Sequence, residues 1–203
     1  MNTKDLYRRI VGVTMTQMSK IDKYAQVSVS ECIKRQGNKA VGAVLAEFSQ
    51  LNDKQVIKPC NAKQLTKSSK RKSLNVITMI KQKRDGKFKG QACADGCKQY
   101  RYIKKDEVSS PTVQLESLMI TLLIDAYKKH DVATVDIVGA YLLANMDDYT
   151  IVKITGSIAD IVMCEVDPTY KEFIVQEKGK PTLYLQLSKA LYGCMQSALL
   201  SFR

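Results

Sequence analysis

Hydrophobic positions recur every three or four residues in two long stretches of this chain and every second residue in several short ones, and the two periods divide it into expected elements. Between Glu31 and Leu51 the apolar residues Val41, Val44, Leu45, Phe48 and Leu51 stand three or four apart. That spacing predicts an amphipathic helix packed on a domain surface, with Gly37 dividing it into two pieces. Asn52-Asp53 should end it, Val56-Ile57 should be extended before Pro59, and Ala62 to Arg71 should form a lysine-rich helical turn. The clearest helix follows Ser109. Ser110 suits its N-cap and Pro111 its first position, and Leu115, Leu118, Met119, Leu122, Leu123 and Ala126 make a stripe expected to face the core. Lys128, Lys129 and His130 sit at its end, where positive charge favours the helix dipole and His130 reads as a cap.

Alternation takes over elsewhere. Leu74 to Lys81 and Phe88 to Ala94 flank Arg84-Asp85-Gly86, which predicts a β-hairpin whose strands carry Lys81, Lys83, Lys87 and Lys89. Tyr149 to Ile154 and Thr182 to Leu187 read as strands, Lys178 to Pro181 as a turn, and Ile158 to Val175 as helix interrupted at Pro168. Lys98 to Val108 should be a charged connector, and residues 1–28, polar and without period, are expected to be partly disordered. The resulting class is α/β, of the α+β kind.

Charge narrows the range of partners. The chain has 203 residues and a net charge of +12, with a pI near 9.4, which points to a polyanion such as nucleic acid; a merely solvated basic surface is the plain alternative. No apolar run approaches the ~18 residues of a membrane span, and the N-terminus lacks a signal-peptide core, so no membrane partner and an intracellular location, cytoplasmic or nuclear, are expected. Of the six cysteines only Cys93 and Cys97 are close in sequence, and the single histidine is remote from both. All six are expected to be free thiols.

One stretch carries candidate chemistry. In Thr134 to Leu143 the alternation of Val135, Asp136 and Ile137 predicts a short strand with a carboxylate at its end. Such a carboxylate can hold a metal; it can equally cap a following helix. The Asp-x-x-x-Ala-Tyr core, Asp136 to Tyr141, resembles the first catalytic motif of copia-type retrotransposon reverse transcriptases. KFKGQACADG at Lys87 to Gly96, SSPTVQLESLM at Ser109 to Met119 and LYGCMQS at Leu191 to Ser197 occur in that family's order, and the likeness extends weakly back to about residue 12.

The resemblance implies fingers and the first half of a palm across residues 29–203, with no thumb, RNase H or paired-Asp motif. It implies RNA-directed DNA polymerase chemistry with Mg2+ held by Asp136 and assisted by the Ile137 carbonyl, and it implies weak or no magnesium binding and no polymerase activity for these residues alone. Lys89, Gln91 and Tyr141 would meet the deoxynucleoside triphosphate. Lys81, Lys83, Lys87, Tyr192 and Gly193 would meet the RNA template and DNA primer. Departures are visible: Gln91 stands where the family has arginine, Met195 where it has lysine, Ala198-Leu199 where it has Pro-Arg, and Ser201 where it has tryptophan. Losing a guanidinium fork at position 91 removes a charged, planar match to phosphate. A non-enzymatic basic nucleic-acid-binding domain is the alternative reading. Asn145 to Asp148 reads as a turn with acidic caps and not as the paired-Asp signature.

Overall fold

A computed structural model describes residues 27–29, 32, 37–104, 108 and 110–202. The expectation of disorder at 1–28 lies outside these, except that Val27–Ser28 forms a two-residue strand, β1. The amphipathic helix α1 runs Asn38–Asp53 and buries Ala40, Val41, Val44, Phe48 and Leu51, as its periodicity requires. Gly37, at φ 58°, precedes its first residue; the part of the expected helix before Gly37 falls almost wholly outside the described residues.

Strand β2 (Ile57–Pro59) and the short helix α2 (Lys67–Lys72) follow. Thr66 caps α2, its hydroxyl accepting from the Ser69 N–H at 3.0 Å. The predicted hairpin is present as β3 (Leu74–Gln82) and β4 (Phe88–Ala94), antiparallel, with Met79 opposite Gln91 and Lys81 opposite Lys89. Past β4 the expected connector instead opens with a 3-10 turn, Gly96–Arg101, capped by Asp95.

The remaining elements are α3 (Leu115–Lys128), a 3-10 turn at Ala140–Leu143, β5 (Ile151–Thr155), a π turn at Ile158–Val162 continuing into α4 (Met163–Val166), a 3-10 turn at Pro168–Phe173, β6 (Val175–Glu177), β7 (Lys180–Leu187) and α5 (Ser197–Phe202). Pro168 stands at the start of its 3-10 turn, where its missing N–H does no harm. The reversal between β6 and β7 is tighter than expected. Lys178 and Gly179, both at positive φ, make a two-residue link of the kind that suits hairpin twist, and Lys180 and Pro181 already belong to β7.

The strands form one mixed sheet in the order β1-β3-β5-β7-β2, with β4 added beside β3 and β6 beside β7. β3 touches β5 only through its first two residues, in parallel, so the long hairpin projects away from the β5–β7 half of the sheet. α1 and the π turn cover one face, enclosing Phe48, Leu51, Leu74, Ile80, Val152, Met163, Leu183, Leu185 and Leu187. The molecule is thus mixed α/β. Among the described residues no helix is long and apolar enough to cross a membrane, and no disulfide is formed.

Two expectations fail in the same region. Helix α3 starts at Leu115, after Gln114, so Ser110 and Pro111 precede it as extended chain, and none of its residues is buried. Leu115 and Leu123 are 67% and 70% exposed; the stripe is real but faces solvent. Asp136, likewise, is not in a strand. Residues 131–137 have no regular structure and are exposed. For Asp136 the physical reason is the lack of a partner: a short strand needs a hydrogen-bonding neighbour, and β7 is already paired with β5, β2 and β6. His130 does act as a helix end: its N–H donates to Asp125 O at 2.9 Å beyond Lys129 in the left-handed region, and its ring lies 3.0 Å from the Asp125 carboxylate.

Candidate nucleotide and nucleic-acid site

The hairpin's two faces have different fates. Gly90, Ala92 and Ala94 point into the packing with α1, where a Cβ at Gly90 would stand 2.5 Å from the Ala43 carbonyl oxygen. Glycine is what lets helix and strand approach so closely. On the opposite face Met79, Lys81, Lys83, Lys89 and Gln91 line a basin of about 320 Å³. Lys81 and Lys89 are cross-strand partners, so two ammonium groups face each other with no acid among the basin's lining. Like charges placed this way repel, and an anion between them relieves the repulsion. Lys87 is turned elsewhere, 4.0 Å from Asp85 in a fully exposed pair within the turn.

The second part of the site is built by the LYG segment. Gly193, at φ 86°, sits so close to β4 that a Cβ would overlap the carbonyl of Ala94, and the Ala94 N–H donates 2.7 Å to the Tyr192 carbonyl. The close backbone approach that this glycine permits is made to β4. Buried Gln99 locks the next turn by accepting from the Met195 N–H at 2.9 Å. These contacts hold Tyr192 edge-on to Tyr141, ring centroids 4.8 Å apart at 80°. Tyr141 lies in the 3-10 turn Ala140–Leu143, entered through Gly139 in the left-handed region, against which the Lys54 ammonium rests.

Asp136 joins this group electrostatically. The Tyr192 hydroxyl is pushed above its ordinary value chiefly by burial and then by Glu47, Tyr141, Asp136 and Cys93. Glu47 was not foreseen as a site residue. It accepts from the Ala92 N–H at 3.0 Å and so occupies the free edge of β4. Burial raises its pKa, opposed by that hydrogen bond and by Lys89. The signal was an acid inside the apolar stripe of α1, three residues after Val44 and four before Leu51. The fold thus brings Tyr141 and Tyr192 into ring contact and sets Glu47 on the free edge of the strand whose exposed face carries Lys89 and Gln91.

Magnesium, which the reverse-transcriptase resemblance implies, finds oxygen donors of the right kind in the Asp136 carboxylate and the Ile137 carbonyl. The latter already accepts from the Ala140 N–H at 3.2 Å. Among the described residues no group of three His, Cys, Asp or Glu is gathered to share an ion. One carboxylate and one engaged carbonyl do not make a resident site for an ion that holds its water tightly. Asn145 to Asp148 are not the expected turn: Asn145 bridges antiparallel to Lys189, Met146 N–H donates to Ser188 O, and Asp147 and Asp148 lie in a bend, the Asp148 carboxylate accepting from Gln196. Comparison of the chain with known protein families, with characterised proteins and with solved structures finds no match.

Proposed function

We propose that this chain is part of a copia-type reverse transcriptase, its fingers and the first half of its palm, and that the hairpin basin receives the phosphates of an incoming deoxynucleoside triphosphate. The observation that carries this reading is the convergence of Lys81, Lys83, Lys89 and Gln91 on one basin, with Tyr141 and Tyr192 in ring contact beyond the same strand. The lysines supply charge, Gln91 supplies neutral amide donors, and the tyrosine pair supplies a surface for the sugar and base. Template and primer would pass over Lys87 at the hairpin turn and over Tyr192 and Gly193. Asp136 and Ile137 would contribute to magnesium binding only together with a triphosphate or further carboxylates, which makes these residues alone a binding unit and not a polymerase.

Titration with a fluorescent deoxynucleoside triphosphate tests the proposal. Lys89→Gln should weaken binding. Gln91→Arg should tighten it by roughly 10- to 150-fold, the scale of a hydrogen bond to a charged group. If both variants bind triphosphate no differently from the wild type while nucleic acid still binds in a salt-dependent way, the basic nucleic-acid-binding domain is the right reading.

A further inference from the structure

A second cleft, of about 460 Å³, lies at the other end of β3, where Lys72 and Ser73 lead into that strand. The two ends of nine-residue β3 lie about 26 Å apart, eight steps at ~3.3 Å per residue, and the cleft shares no lining residue with the hairpin basin. Two tyrosines stand in its wall, Tyr102 at 48% and Tyr149 at 63% exposure. The Lys72 ammonium lies 5.4 Å from the Tyr102 ring centroid. Tyr149 stands in the same wall with an open ring surface.

Charge around the cleft is divided. On one side α2 brings Lys72 to the cleft wall, with Lys67 and Arg71 exposed on the same helix outside the lining, whereas Lys70 is bound to Glu177 at 3.2 Å. On the other side the Asp148 carboxylate is held by the Gln196 amide at 3.0 Å. A ligand with an anionic backbone and a flat, donor-bearing edge fits this division: phosphates toward α2, ring on tyrosine, amino or imino groups toward Asp148. A duplex buries its base faces in its own stack and cannot offer them to a ring.

We infer that this cleft is a binding site for single-stranded nucleic acid, in which a base stacks on Tyr149 and the adjoining phosphate meets Lys72. It operates independently of triphosphate binding at the hairpin.

Fluorescence anisotropy on the full chain, with fluorescein-labelled 12-nucleotide oligo-rU, oligo-dT and a duplex of equal length, tests the site. Both single strands should bind more tightly than the duplex; equal affinity for the two assigns the cleft to single strands generally, and preference for oligo-rU assigns it to RNA. Tyr149→Ala should weaken single-strand binding roughly 5- to 150-fold, as for loss of one stacked base, while Tyr149→Phe keeps it. Lys72→Gln should lower the log–log salt slope by about 0.7. Unchanged binding by Tyr149→Ala, or a Tyr149→Phe variant as weak as the alanine one, overturns the stacking site. Photocrosslinking of the wild-type protein with a 4-thiouridine oligomer gives a check free of any folding defect: adducts at Tyr149 or Tyr102 are expected, and adducts confined to residues 81–91 overturn the proposal.

Discussion

At the scale of single residues, the firmest expectations concern groups tied down by several partners at once. The buried Tyr184 hydroxyl donates to Glu177 at 2.7 Å, and Lys70 reaches the same carboxylate at 3.2 Å with its ammonium over the Tyr184 ring. The Tyr184 hydrogen bond, more than Lys70, holds Glu177 below its ordinary value of 4.5. A lowered folded-state value means that this stabilisation is present above about 4.5 and is lost as pH falls below it through the folded-state value. Glu47 has the opposite sign, because burial raises its pKa: ionised it opposes folding, and protonation on acidification removes that penalty. Urea denaturation across pH 3 to 7 should show a shallower acid decline for Glu177→Gln and a steeper one for Glu47→Gln. Gly193→Ala should be among the most destabilising single changes. The left-handed backbone alone costs about 1–2 kcal/mol, and the added methyl must also displace the Ala94 carbonyl; a thermal melt within a degree of the wild type would show that the turn relaxes freely.

Elements differ in what their apolar faces accomplish. β7 buries Leu183, Leu185 and Leu187 completely, so Leu185→Ala should cost about 2–5 kcal/mol in chemical denaturation. Leu123 is chemically the same side chain on an equally regular element, yet it is 70% exposed, and Leu123→Ser should stay within about 0.5 kcal/mol. Comparable losses at the two positions would mean that α3 packs against something in solution. The hairpin carries a different tension, because Lys81 opposes Lys89 across its strands. Relieving that repulsion with Lys81→Gln should raise stability by a few tenths of a kcal/mol, while weakening anion binding at the basin. Stability and binding moving in opposite directions is the signature of charges kept for a ligand.

For the whole molecule, the charge of +12 and Asp136 as the one candidate metal carboxylate combine into one expectation. The purified 203-residue chain should bind nucleic acid with log affinity falling linearly in log salt, by about 0.9 for each duplex phosphate neutralised. It should leave a primer unextended on an RNA template with magnesium and deoxynucleotides. Two-metal phosphoryl transfer needs ions clamped by several carboxylates, and Asp136 lies in an exposed segment outside the sheet. Gln91→Arg adds charge at the basin without adding a metal ligand, so it should tighten triphosphate binding and leave extension at background. Extension that vanishes in Asp136→Asn would overturn this.

Most of the local elements could be read from the residues in order, because hydrophobic period, turn residues and caps act within a few positions. Val41, Val44, Phe48 and Leu51 had to share a helix face, and Arg84-Asp85-Gly86 had to reverse the chain. The basic hairpin was legible too, since alternation alone places Lys81, Lys83, Lys89 and Gln91 on one side. Partnership was not. The stripe of α3 and the alternation at Val135 to Ile137 have the period of buried elements, but period states only that a face is apolar; burial depends on what the rest of the chain brings against it. Here β7 is fully paired, and α3 and the Asp136 segment are left outside. The tertiary structure alone set Glu47 on the edge of β4 and Tyr192 against Tyr141, and it opened a cleft between α2 and Tyr149. Those residues lie up to 145 positions apart, and no periodicity in one segment specifies a contact with another.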